Sequence, residues 1–164
     1  TSRCSRALSR TRVIDRLDRV VEDISTVHSK LVLLIGEPGA GKSKLLRQLA
    51  ERRAAPILNV GAALGRELLT VPRARRHLHV AEIFRRLADD LSSQRILAVD
   101  NIELLFDRTL KLSPLDLLRR QAQSRRIIAV WPGSMRDNRL TYAETGHPEH
   151  QDYAIDGLVP FTVH

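Results

Sequence analysis

Eight residues, Gly36-Glu37-Pro38-Gly39-Ala40-Gly41-Lys42-Ser43, set three glycines, a lysine and a hydroxyl at the spacing G-x-x-x-x-G-K-[ST]. The chemistry this suits is the holding of a polyphosphate. Glycines let successive backbone N–H groups turn toward one centre with no side chain in the way. A helix that begins at the same point adds its own unpaired N–H groups and the positive end of its dipole. Lys42 supplies a mobile charge for the terminal phosphates, and the Ser43 hydroxyl is a hard oxygen ligand suited to Mg²⁺. Residues 36–43 together with Lys44 are therefore the candidate nucleotide-binding residues, and ATP and Mg²⁺ the expected ligands. A glycine turn between a strand and a helix would be the bland alternative, but "LVLLI" before the loop and "KSKLLRQLA" after it supply both elements the chemistry needs.

A second acid has to anchor the metal. "RILAVD" at 95–100 is an apolar strand that ends on Asp100, which places a carboxylate at the C-terminal edge of a sheet, where open α/β sheets bind ligands. An N-cap ahead of "NIELLF" would use the same carboxylate; metal binding with Ser43 is the expected role. If the chain stays extended beyond Asp100, Asn101 and Glu103 face the same side about 7 Å apart. Glu103 is then placed to orient an attacking water and Asn101 to sense phosphate. If a helix starts at Asn101, Glu103 points elsewhere and turnover is slow.

The elements needed to position these groups are legible along the chain. Continuous apolar runs at 31–35, 56–60, 95–100 and 126–131 read as buried parallel strands, with a short final strand around Tyr153–Ile155. Helices are expected over 42–53, briefly in "LGRELL", and over 73–92, with Leu78, Ile83, Phe84, Leu87 and Leu91 on one face. Another is expected from Ser113, as N-cap, and Pro114. Alternating strands and helices imply right-handed crossovers and a parallel sheet covered on both faces. Residues 11–27 place Val13, Ile14, Leu17, Val20, Val21 and Ile24 at helical spacing, an amphipathic helix for the domain or for a partner.

At 164 residues the chain reads as one domain, with 1–29 as an Arg-rich arm and amphipathic helix. All 27 Lys and Arg lie at or before Arg139, so residues 1–139 carry +12 and the last 25 carry −4. A basic body attracts polyanions, whether nucleic acid, nucleotide or an acidic partner; solvated arginine-rich helix faces account for the same charge. Aromatic residues are only 4%, which leaves few platforms for stacking bases. Cys4 is the one cysteine, so no internal disulfide forms and a reducing, cytoplasmic setting is expected. No apolar run approaches the length of a membrane span. "TSRCSRALSR" lacks the apolar core of a secretory signal.

The motifs resemble the additional-strand, AAA+-like branch of P-loop ATPases. The strings "LNVG", "VDNIELLFD", "IIAVWPG" and "LTYAETGHPEH" narrow it: over about residues 30–155 the chain resembles the small P-loop (BrxF-like) family of type 3 BREX bacteriophage-exclusion systems. The resemblance implies a bacterial defence ATPase or nucleotide switch working beside a methyltransferase, a larger ATPase and other BREX proteins. It also marks departures. In many such ATPases an acid directly follows the metal-site aspartate, where this chain has Asn101. The fourth strand often ends in a polar sensor, where this chain reads Trp131-Pro132-Gly133-Ser134 and Trp131 reads as packing. An arginine supplied in trans usually lies between the fourth and fifth strands. The basic residues there are Arg136 and Arg139, expected on an exposed loop, which makes a homo-oligomer the expected working state; two solvated arginines are the alternative. His147 and His150 have a spacing that can serve a metal, but Pro148 between them favours a docking loop over zinc.

Three function classes follow: an Mg²⁺-dependent ATPase of low intrinsic activity, a nucleotide-binding interaction module that hydrolyses little, and, more remotely, a small-molecule kinase, for which no acceptor signature is visible.

Overall fold

A computed structural model describes residues 2–24, 30–91, 95–142, 151–155 and 157–164, with the backbone alone for 2–11 and 151–152. His147 and His150 lie outside the described residues.

Five strands form a parallel sheet: β1 (Leu31–Ile35), β2 (Ile57–Asn59), β3 (Ile96–Asp100), β4 (Arg126–Val130) and β8 (Val159–Thr162). Their order is β2-β3-β4-β1-β8, so β4 is inserted between the strand that feeds the glycine loop and the strand that ends on Asp100. Alternation divides the apolar runs between two cores. Leu31, Leu33 and Ile35 of β1, Leu97 and Val99 of β3, and Ile127 and Ala129 of β4 face one side. They meet α3 (Val60–Leu68), α4 (Arg76–Leu91) and α5 (Pro114–Gln121) there. Val32, Leu34, Ile96, Ala98, Ile128 and Val130 face the other, against α1 (Ser2–Asp23) and α2 (Lys42–Arg53). With both faces covered, the strands are apolar along nearly their whole length.

The amphipathic helix expected at 11–27 is α1, and it packs on this chain. Ile14, Leu17, Val21 and Ile24 are buried. Arg53 of α2 bonds Asp18 at 2.7 Å and Glu22 at 2.7 Å, and Arg52 bonds Asp15 at 2.8 Å. Ser113 caps α5 and Pro114 opens it, as expected.

Four expectations are corrected. The strand expected near Tyr153–Ile155 is β7 (Gln151–Ala154), but it belongs to a separate antiparallel sheet with β5 (Ser134–Arg136) and β6 (Arg139–Tyr142). The fifth parallel strand is β8, whose Pro160 is tolerated at the sheet edge. Val60 does not extend β2: the Asn59 side chain accepts from the Ala62 N–H at 3.1 Å and starts α3, a helix of 9 residues where one turn was expected. Leu78 and Leu91 are 67% and 40% exposed; the buried face of α4 is Val80, Ile83, Phe84 and Ala88.

Candidate nucleotide-binding site

The glycines of the loop do different jobs. A Cβ on Gly36 would sit 2.3 Å from the Val163 carbonyl oxygen, because the chain leaving β8 crosses the loop there and the Val163 N–H donates to Ile35 O at 2.7 Å. Gly39 and Gly41 have φ of +84° and +91°, the left-handed region open to glycine, and a Cβ on either would meet nothing within 4 Å. Gly36 thus permits a close crossing of chains, while Gly39 and Gly41 give the turn and leave its inner side open.

Gly41 caps α2 without a side chain, and the first turn of α2 holds no acid. Among the described residues no side chain accepts from the N–H groups of that turn, which leaves them for an anion. Glu37, Pro38 and Gly39 are exposed, Ala40 half-buried, and the Ala40 N–H closes the turn on Glu37 O at 3.0 Å. Lys44 is exposed in the first turn of α2.

Lys42 is half-buried at the centre. Its Nζ donates to Gly36 O at 2.7 Å and to Trp131 O at 3.2 Å. Burial holds its pKa below the ordinary lysine value, against the opposing charges of Glu103, Glu37 and Asp100 in that order. Ser43 Oγ donates to Asp100 Oδ1 at 3.2 Å, and the same oxygen accepts the Asn101 N–H at 2.9 Å. A hydroxyl and a carboxylate oxygen side by side, next to an uncapped helix start, form a hard-oxygen donor set that fits Mg²⁺ with phosphate as a further ligand.

Neither alternative drawn from the sequence for residues 101–103 describes them fully. Asn101 takes φ +54°, a left-handed conformation that asparagine adopts more readily than most residues, and it turns the chain into a 3₁₀ helix at Ile102–Phe106. Glu103 lies exposed in the first turn of that helix, not in an extension of β3. Its charge nevertheless acts on Lys42 more strongly than that of Glu37 or Asp100.

Arg136 and Arg139 occupy a hairpin, not a loop. They are paired residues of β5 and β6, joined by Asp137 and Asn138 with φ +50° and +60°, the two positive values a type I′ turn requires. Both arginines are exposed at the tip. The base of the hairpin, at Ser134 and Met135, borders a 460 Å³ cavity that also touches the glycine loop and Thr162. Trp131 is fully buried, gives its Nε1–H to Thr141 O at 3.0 Å and packs edge-on against Phe106, so it anchors the hairpin to the core.

One feature of the site had no sequence signal. A 550 Å³ cavity that also borders the loop is walled by Val13 and Arg16 of α1, Gln48 of α2 and Thr162. The pattern marks 11–27 as a helix, but only its packing on α2 brings Arg16 to the loop.

No protein-family model and no curated protein matches the sequence. Solved structures match the fold. A structure of C. elegans PCH-2 aligns over 94% of this chain and 42% of that chain, at 16% identity and a TM-score of 0.52. A structure of Drosophila ORC bound to DNA aligns over the same shares, at 19% identity and a TM-score of 0.49. The chain spans less than half the length of these structures. The fold is that of the AAA+-like P-loop NTPases, with the additional strand β4 in place.

Proposed function

We propose that the chain binds ATP with Mg²⁺ and hydrolyses it slowly. The observation that carries this reading is the 3.2 Å contact between Ser43 and Asp100, formed beside Lys42 and the uncapped start of α2. In this reading the N–H groups of 39–44 cradle the phosphates, Lys42 leaves its carbonyl partners to pair with the terminal ones, and Ser43 and Asp100 hold the metal. Bound Mg²⁺ would neutralise charge on the phosphates. Glu103 is the candidate to orient the attacking water, with Asn101 beside it as a polar sensor, and Arg136 or Arg139 the candidate positive charge supplied by a second copy.

The second reading, a nucleotide-dependent interaction module, rests on Asn101: its left-handed turn follows Asp100 where an acid would serve hydrolysis best. Calorimetry with ATP, with and without Mg²⁺, tests both readings, since both require binding that Lys42→Ala weakens strongly. Phosphate release separates them. If wild type and Lys42→Ala bind ATP equally, both fall.

The setting we propose is a cytoplasmic bacterial phage-defence complex of BREX type, on the strength of "VDNIELLFD", "IIAVWPG" and "LTYAETGHPEH". Other BREX proteins, and DNA met through the basic body, are the partners this implies. Among the described residues no helix is long and apolar enough to cross a membrane. Loss of phage protection in a strain carrying Lys42→Ala, with the protein still present, is the expected result.

A further inference from the structure

We infer that the corner between α3 and α4, built on Arg66, Arg73 and Arg75, docks double-stranded nucleic acid through its phosphates. The inference deepens the reading of the basic body given above and rests on it. Residues 66–86 hold six arginines and two acids. The acids are spent locally: Glu67 pairs with Arg86 at 2.7 Å and Glu82 with Arg85 at 2.9 Å. Arg66, Arg73 and Arg75 are exposed and, among the described residues, make no ion pair. Their charge is uncompensated on one short stretch of surface.

The corner is also stiff. The Val71 N–H bonds Leu68 O at 3.0 Å, the Arg75 N–H bonds Pro72 O at 2.8 Å, and Arg76 Nε bonds Val71 O at 3.0 Å. Pro72 fixes the entry to the 3₁₀ turn Arg73–Arg75. A surface ordered in advance loses little entropy on binding. Arginine, with its planar fork, is suited to phosphate oxygens.

Duplex is favoured over single strand because no aromatic side chain remains to stack on bases. Phe84, Phe106, Trp131 and Phe161 are buried, and Tyr142 and Tyr153 belong to the cluster around Phe106. An anionic membrane is disfavoured: only Leu69 and Leu78 are strongly exposed at this corner, far short of the continuous apolar face an interfacial helix needs.

The test is fluorescence anisotropy with a labelled duplex across a salt series, using the whole chain. Wild type should bind the duplex more tightly than its separated strands or phosphatidylserine vesicles. The triple variant Arg66→Gln, Arg73→Gln, Arg75→Gln should bind about tenfold or more weakly, and its slope of log K against log salt should be shallower by roughly 2–3. Each single variant should flatten the slope by about 1. A control removing the same charge elsewhere, at Arg19, Arg108 and Arg120, should change the slope less. The inference is overturned by absence of duplex binding, by tighter binding of single strands or vesicles, or by an equal effect of the control. ATP affinity measured on the same samples separates the failures: intact ATP binding without duplex binding sinks this inference and leaves the nucleotide reading standing.

Discussion

Ser43 donates to Asp100 at 3.2 Å although the strands that lead to them, β1 and β3, are not neighbours. The contact spans β4, because α2 starts at the C-terminal edge of β1 and runs over β4 and β3. Asp100→Ala should leave the backbone cradle and Lys42 in place, so ATP still binds, but Mg²⁺ affinity should fall by about 10- to 100-fold. Asp100→Asn, which keeps an acceptor for Ser43 and loses the charge, should behave like the alanine variant. A Mg²⁺ titration of ATP binding that looks the same in all three proteins would reduce Asp100 to a cap for the Asn101 N–H.

Lys42 sets a pH dependence. Burial lowers its pKa, and only the charged form pairs with phosphate. ATP affinity should therefore fall as pH rises through that lowered value, earlier than the range near 10.4 where an ordinary lysine discharges. Bound phosphate favours the ammonium, so binding at alkaline pH should take up a proton, visible by calorimetry in buffers of different ionisation enthalpy. Lys42→Arg keeps its charge throughout and should show no such fall. An alkaline decline shared by both proteins would assign the effect to another group.

Glu103 offers a linked test. Of the acids acting on Lys42 its charge counts most, so Glu103→Gln should shift the alkaline fall to lower pH while ATP binding at neutral pH is retained. If Glu103 also orients water, phosphate release should drop by about 10²-fold or more. Unchanged turnover with a shifted pH profile would make Glu103 a tuning residue for Lys42 and no more.

The glycines separate packing from binding. Gly36→Ala forces a methyl into the Val163 carbonyl, which is backbone and yields only if β8 moves. A cost of about 1–3 kcal/mol is expected, or roughly 2–4 °C in Tm for each kcal/mol, with faster exchange of the Val163 amide. Gly39→Ala meets no atom, so its cost is confined to the left-handed φ, about 1–2 kcal/mol. Val163 exchange should stay slow. Equal exchange in the two variants would contradict the crossing of β8 over the loop.

The sequence made the loop, Asp100 and four of the five parallel strands readable because each depends on local pattern: glycine spacing, buried apolar runs and their polar ends. β8 was hidden because "LVPFTV" carries Pro160, which argues against a central strand and is silent about an edge. The second sheet was not anticipated, and Arg136 and Arg139 were expected on a loop: the strands beside the turn at Asp137 and Asn138 are three and four residues long, too short for alternation to register. Leu78 lies across α4 from the buried stripe of Val80, Ile83 and Phe84, because spacings of five and six residues turn a helix to its far side, so the residue stays in solvent. The influence of Glu103 on Lys42 could not be read from spacing, since it depends on the turn at Asn101.

The hairpin arginines give the last prediction. Arg136 and Arg139 are directly paired across β5 and β6, so their side chains leave the ribbon on the same face. Like charges so placed destabilise a hairpin by about 0.2–1 kcal/mol. Arg136→Thr should therefore leave stability unchanged or raise it slightly, a result expected whether or not the residue works in catalysis. Turnover discriminates. If the tip supplies charge to the phosphates of a neighbouring copy, Arg136→Thr or Arg139→Thr should cut phosphate release, by up to about 10³-fold, with ATP affinity nearly unchanged. Wild-type turnover per chain should rise with protein concentration as copies associate. A mixture of Lys42→Ala with an Arg136 or Arg139 variant should recover activity, because hybrid pairs contain one site with both an intact loop and an intact tip. Turnover that is constant down to a demonstrated monomer, and indifferent to both substitutions, would leave the two arginines as surface charge and remove the need for a second copy.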